Sequence, residues 1–297
     1  MPINHLLLAL LIMVIWGCNF IFIKLSLLEI PPLLLCALRF FLASIPAIFF
    51  IKPPKAPAKM IILYGLLTFG LQFAMLFIGM QSGMTPGLAS LLVQVQIFFS
   101  IFFAMVILSE IPTFWQIIGA LVSFSGIGLV VSHIGGNVTL AGLILLMGAA
   151  ASWGLGNLVT KKISHVNMIA LVVWGSFVAA FPLLLSSLLF EGPSRVLYSI
   201  QHVSLTGILS VCYIVFASTW IGYGAWNWLL SRHPVATIVP FTLLVPIFGL
   251  LSSALILSEP LQSWKLFAGA LVLLGLCINL FGARFSSMFQ VTHRLLR

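Results

Sequence analysis

Along the chain, apolar residues run in stretches of about twenty, broken by short clusters of Pro, Gly and charge. A helix rising ~1.5 Å per residue needs about 20 such residues to cross the hydrocarbon core of a bilayer. Ten stretches qualify: Leu6–Leu25, Pro32–Ile51, Ala58–Met80, Pro86–Leu108, Pro112–Ser132, Leu140–Thr160, Met168–Phe190, Leu205–Leu230, Val235–Leu257 and Leu261–Ala283. They lack the polar–apolar alternation of transmembrane barrel strands. Lipid offers the backbone no hydrogen bonds, so unbroken runs of this kind must be helices. The pattern predicts an all-α polytopic membrane protein of ten transmembrane helices, with connections too short to hold a soluble domain.

Composition supports this reading. Of 297 residues, 62% are hydrophobic and 6% charged, whereas a soluble domain carries roughly 25% charged residues. The formal net charge is +9, yet the Lys and Arg residues are spread through the loops and form no basic stripe, so no nucleic-acid partner is expected. Their distribution is informative in another way. Lys52, Lys55, Lys59, Lys161, Lys162, Arg232, Arg284, Arg294 and Arg297 fall on the side that holds both termini, and only Lys24, Arg195 and Lys265 fall on the other. The positive-inside rule then puts both termini in the cytoplasm of a multi-pass protein of the bacterial inner membrane. The N-terminus lacks a basic n-region and a cleavage site, so the first apolar run is expected to stay as a helix. Cys18, Cys36, Cys212 and Cys277 lie inside apolar runs with no near neighbour; they are expected to be small buried hydrophobes, without disulfide or metal roles.

The chain repeats itself. Ile107-Leu108-Ser109-Glu110-Ile111-Pro112 with Trp115 recurs as Ile256-Leu257-Ser258-Glu259-Pro260 with Trp264. Gly119-Ala120-Leu121-Val122 recurs as Gly269-Ala270-Leu271-Val272, and Trp16, Gly17, Asn19 and Lys24 are echoed by Trp153, Gly154, Asn157 and Lys161. Two related halves of five helices follow, at residues 1–137 and 138–297. Five is odd, so the second half enters the membrane upside down relative to the first. Inverted repeats are a transporter architecture with a central site between the halves.

Polar groups near the midplane are costly and tend to mark function. Trp16, Asn19, Gln72, Gln94, Gln96, Trp220 and Pro246 fall there. At 100° per residue, Tyr213, Trp220, Tyr223 and Asn227 share a stripe of the eighth helix that suits a pocket for a small amphipathic solute, or equally a packing face. Gln94 and Gln96 stand two apart and point to nearly opposite sides, so at most one of them is expected to face a pathway squarely. Arg39, seven residues into the second helix, has three options: snorkelling outward, pairing with Glu29, or meeting a substrate carboxylate. Lys24 and Lys161 read first as interface anchors. Pro234, Pro240 and Pro246, with Thr237 and Thr242, weaken the ninth helix as a hinge or a static kink.

Absences narrow the chemistry. There is no Asp, and the four Glu residues lie at helix ends or loops, so a proton relay through a mid-membrane acid is disfavoured; a His at a helix end is the weaker proton candidate. No His-Glu-x-x-His or Walker motif occurs, and the six His lack ligand spacing. Ser176 after Gly175 reads as small-residue helix packing. No enzyme, catalytic residue, metal or cofactor is expected.

Several segments together resemble the EamA family of the drug/metabolite transporter superfamily. They are Trp16-Gly17-Cys18-Asn19-Phe20 with Lys24, Pro31-Pro32 before Ala37-Leu38-Arg39-Phe40, Gly87-Leu88-Ala89-Ser90-Leu91, Leu108-Ser109-Glu110, Trp153-Gly154 with Asn157, and Leu257-Ser258-Glu259. Gln72-Phe73-Ala74 and the run Leu88 to Phe99 resemble its O-acetylserine/cysteine exporter branch. The resemblance covers nearly the whole chain. It implies a ten-helix inverted-repeat fold with a cavity lined by helices 1, 3, 4, 6, 8 and 9, and export of amino acids or related metabolites. It carries Trp16, Asn19, Gln72, Gln94, Trp153, Asn157 and Trp220 over as cavity candidates, beside Tyr213 and Tyr223 from the stripe. The expected activity is alternating-access export of a small-molecule substrate by a lipid-embedded monomer. Import or exchange of a larger metabolite, such as an adenosine-containing cofactor, and a non-transporting membrane scaffold stay open as alternatives.

Overall fold

The computed structural model describes residues 1–135, 138–163, 166–233 and 235–295, and no side chain at 227, 230, 231, 235, 236, 239 or 283–295. Asn227, Pro234, Arg284, Arg294 and Arg297 therefore lie outside the described side chains. Among the described residues, nine helices are long and apolar enough to cross a membrane, and a tenth apolar helix is shorter. In chain order these are α1 (Ile3–Ser26), α2 (Pro32–Ile48), α3 (Ala58–Gln81), α4 (Pro86–Leu108), α5 (Phe114–Val131), α6 (Leu140–Lys162), α7 (Met168–Glu191), α8 (Leu205–Trp226), α9 (Pro240–Leu257) and α10 (Ser263–Gly282). One element is absent from the hydropathy reading. Pro193–His202 is a short surface helix with Val196 and Ser199 inward and Leu197, Tyr198 and Ile200 exposed. Ten residues and a mixed composition give it no apolar run to detect.

Helix starts follow local chemistry. Pro occupies the first helical position of α2 and α4, where the missing N–H is no loss. Thr113 caps α5 through a reciprocal pair with Gln116. Glu191, at the end of α7, reaches the start of α2 and accepts from Leu33 N at 2.7 Å and Leu34 N at 3.1 Å. A carboxylate there answers the exposed N–H groups and the positive end of the helix dipole.

The packing has a two-fold logic. α1 packs on α9 and α8, and five helices on, α6 packs on α4 and α3. α2 meets α7, α5 meets α10 and α4 meets α9, pairs that map onto themselves under the same shift. Local details repeat as well. Ser109 and Ser258 both close their helices in the left-handed region, at φ 54° and 53°. A Cβ placed on Gly17 would lie 2.5 Å from Phe248 Cβ, and one on Gly154 would lie 2.9 Å from Phe99 Cβ. At both places only glycine lets the backbones approach so closely. The irregular turns repeat too. π-helical turns occur at Leu66–Leu71 in α3 and Tyr213–Ile221 in α8. Tight 3₁₀ turns occur at Val93–Val95 in α4 and at Val239–Leu243, where α9 begins.

Candidate functional site: a cavity on the irregular turns

A cavity of about 250 Å³ lies between α1, α2, α3, α4, α6, α8 and α9. That is room for about eight waters at roughly 30 Å³ each. Irregular turns contribute part of its wall. Gln72 follows the π-turn of α3, Ser218 lies in that of α8, Gln94 sits in the 3₁₀ turn of α4, and Thr242 sits in that leading into α9. Trp16 and Asn19 enter from α1, Arg39 from α2, Trp153 from α6 and Tyr223 from α8.

Six of the nine site candidates border this cavity: Trp16, Asn19, Gln72, Gln94, Trp153 and Tyr223. The other three are placed differently. Asn157 stands behind the wall and donates to Gln96 Oε1 at 2.7 Å and to Ser100 Oγ at 3.0 Å. Tyr213 stacks on Phe22, with ring centroids 3.8 Å apart, and donates to the Ile15 carbonyl at 3.0 Å. Trp220 donates to the Ala43 carbonyl at 3.2 Å and borders a second cavity of about 210 Å³ beside α2 and α7. The π-turn explains this separation. A π-helix bonds i to i+5 and advances by less than 100° per residue, so residues counted onto one stripe diverge across Tyr213–Ile221.

The 3₁₀ turn acts in the opposite sense on α4. Both Gln94 and Gln96 border the cavity, although two positions apart on a regular helix point to nearly opposite sides. At three residues per turn, positions two apart diverge by about 120° around the axis, against about 160° in an α-helix. Trp16 is held by its indole N–H on the Ser218 carbonyl at 3.0 Å, and its ring lies 5.4 Å from that of Tyr223.

Arg39 resolves among the three options open to it in the sequence. It is only 2% exposed, so it does not snorkel. Glu29 is not its partner: that carboxylate accepts from Ser204 N and Ser204 Oγ, each at 2.6 Å, which holds it below the usual carboxylate range. The Arg39 guanidinium lies 4.4 Å from the Phe73 ring centre and donates to Thr219 Oγ1 at 3.4 Å. Nε and Nη1 have no partner, nor have Asn19 Oδ1 and Gln72 Oε1.

Two ion pairs join charges at helix ends. Lys161 bonds Glu110, tying α6 to the end of α4. Lys265 and Glu259 form a pair at 2.8 Å with side chains 1% and 7% exposed. Glu259 also accepts from Ser253 Oγ and from Gly87 N at the start of α4. A residue pair six apart, spanning Pro260, follows no helical period, so no sequence pattern marks it. Cys36 is buried, and Cys18, Cys212 and Cys277 are half-buried; all four are free thiols. Among the described residues no cluster of His, Cys, Asp or Glu has the makings of a metal site.

Comparison with known proteins bears on this arrangement. The model of the EamA-like transporter family matches residues 4–132 and again residues 140–281. The chain belongs to the EamA family. A Salmonella typhimurium protein named "Probable amino-acid metabolite efflux pump" is 41% identical over 284 residues, covering 93% of this chain and 95% of its own length. An Escherichia coli protein of the same name is 38% identical, covering 96% and 97%. One crystal structure shares the fold at a TM-score of 0.67 and 16% identity, over 96% of this EamA chain and 99% of its own. Family membership and the apolar helices make this a multi-pass membrane protein of a transporter family, as the resemblance implied.

Proposed function

We propose that this EamA protein exports amino acids or closely related small metabolites across the bacterial inner membrane by alternating access. The observation that carries the proposal is the central cavity, to which α1–α4 and α6, α8 and α9 all contribute and which is walled by amides and tryptophans. An amphipathic solute loses its water hydrogen bonds on entering a membrane, at a cost of several kcal/mol if they are not replaced. Asn19, Gln72, Gln94 and Gln96 replace them, with Trp16, Trp153 and Tyr223 against the apolar part. Asn157 fixes Gln96, while Tyr213 and Trp220 hold α8 to α1 and α2. Two 38–41% identical relatives bear an efflux-pump name, which supports this cargo class.

In this reading residues 1–137 and 138–297 are inverted repeats that rock against each other around the cavity, both termini face the cytoplasm, and a monomer suffices. The bias of nine Lys and Arg against three across the two sides supports the orientation. All four carboxylates sit at helix ends or loops, so the proposed movement is facilitated or exchange-coupled, without a mid-membrane proton relay.

The test is flux. Purified protein in liposomes is offered labelled cysteine, O-acetylserine and aromatic amino acids, with and without a pH gradient. Saturable flux of one class, indifferent to the gradient, is the expected result. Folded protein that moves none of them overturns the proposal and turns the search to cofactor exchange or a scaffold role.

A further inference from the structure

Arg39 poses an electrostatic problem. A buried cation without a counter-ion is costly, because the effective penalty of desolvation is several kcal/mol per ion. The chain has only four side-chain carboxylates, and each is engaged elsewhere. Glu29 is bonded to Ser204, Glu110 to Lys161, Glu191 to the start of α2 and to Ser187, and Glu259 to Lys265. None reaches Arg39. The Phe73 face offsets part of the charge, and the Thr219 bond is long at 3.4 Å. A guanidinium has five N–H donors; the single N–H on Nε and both on Nη1 have no acceptor.

The cavity wall is complementary on its other members. Asn19 and Gln72 border it, are 7% and 3% exposed, and each has an amide oxygen without a donor. One unpaired cation and two unspent acceptors thus border one cavity.

We infer that Arg39 anchors the carboxylate of the cargo, and that the amide oxygens of Asn19 and Gln72 receive the ammonium of the same molecule. The ligand class is a zwitterion with one carboxylate and a nearby ammonium. This rests on the proposed export function and adds the residues that read the cargo's polarity. The chemistry matches each end. A guanidinium fork is pre-shaped for a carboxylate. Neutral amide oxygens accept from an ammonium without introducing an acid that would pair with Arg39 and close the site to cargo. Arg39 therefore selects free acids over amides and esters of the same side chain.

The experiment measures binding through tryptophan fluorescence, since Trp16 and Trp153 border the cavity. Wild-type protein is titrated with cysteine, cysteinamide, propionate and propionamide, and Arg39→Gln is titrated in parallel. Wild type is expected to bind each acid at least about tenfold tighter than its amide. Arg39→Gln, checked for folding by size-exclusion chromatography, is expected to lose that preference. Equal wild-type affinity for acid and amide overturns the inference, as does a preference that survives in Arg39→Gln. If the variant does not fold, the wild-type comparison alone decides. Failure of the export reading is separable: a wild type that moves no amino acid in liposomes yet discriminates propionate from propionamide leaves the anchor standing and removes its assigned cargo.

Discussion

At the scale of single residues, the Glu259–Lys265 pair is the sharpest case of structure that hydropathy could not reveal. In the sequence Lys265 is one of the cations on the outer side, near the start of the tenth apolar run, yet it is 1% exposed and faces a carboxylate. Removing one member strands the other, at a cost of about 3–5 kcal/mol; Lys265→Ala should lower the midpoint of thermal unfolding in detergent, and Glu259→Gln added to it should recover part of the loss. The pair also sets an acid limit. Burial pushes the Glu259 carboxyl upward, and hydrogen bonds from Lys265 and Ser253 outweigh it, leaving it below its ordinary value. Its contribution is complete above the unfolded carboxylate value, about 4.3, and is lost as pH falls through the lower folded value. Melting curves should therefore hold level from neutral pH to about pH 5 and fall below about pH 4. A midpoint already falling between pH 7 and 5 through this pair would contradict the assignment. Inside the cavity, Gln94→Ala should cut flux by about tenfold through one lost hydrogen bond. Trp220→Ala should change flux far less, because that ring borders the other cavity.

At the scale of elements, nearly all ten crossings were legible, because a twenty-residue apolar run has one structural outcome in lipid. What lay beyond reading was the phase of side chains around each helix. Stripe counting assumes 100° per residue, and turns that break this rule supply part of the cavity wall. Tyr213 and Trp220 share a stripe on paper and part across a π-turn, one facing α1 and the other α2; Gln94 and Gln96 oppose on paper and converge at a 3₁₀ turn. Trp16 and Asn19 lie on a regular stretch of α1, and there spacing and geometry agree. Arg39 was undecided because the choice hung on Glu29, whose partner Ser204 is 175 residues away in sequence. Close helix contacts give a further prediction. Gly17→Val would force α1 from α9 and should destabilise by about 1–3 kcal/mol. Gly128, in α5, has nothing within 4 Å of an added Cβ, so Gly128→Ala should stabilise by about 1 kcal/mol through helix propensity. Thermal unfolding of the two variants side by side tests both signs.

At the scale of the whole molecule, the proposed alternating access requires that the two ends of the cavity open in turn. Glu110 and Lys161 join the ends of α4 and α6, one helix from each set of five. In a background with the four native cysteines replaced, Glu110→Cys with Lys161→Cys bridged by a short thiol-reactive cross-linker should arrest flux, and reductive cleavage should restore it. Undiminished flux across the bridge would remove that end as a gate. The packing has another consequence. The broad interfaces, α1 with α9, α2 with α7, α3 and α4 with α6, and α5 with α10, join helices from different sets of five. The ribosome makes one set before the other. Until the later helices arrive, the nascent chain holds Arg39, Gln72 and Gln94 in the bilayer without the surfaces that will enclose them. A message that stops after α5 thus yields a stable-looking insertion product with its polar interior turned toward lipid, the kind of intermediate that membrane quality control exists to remove.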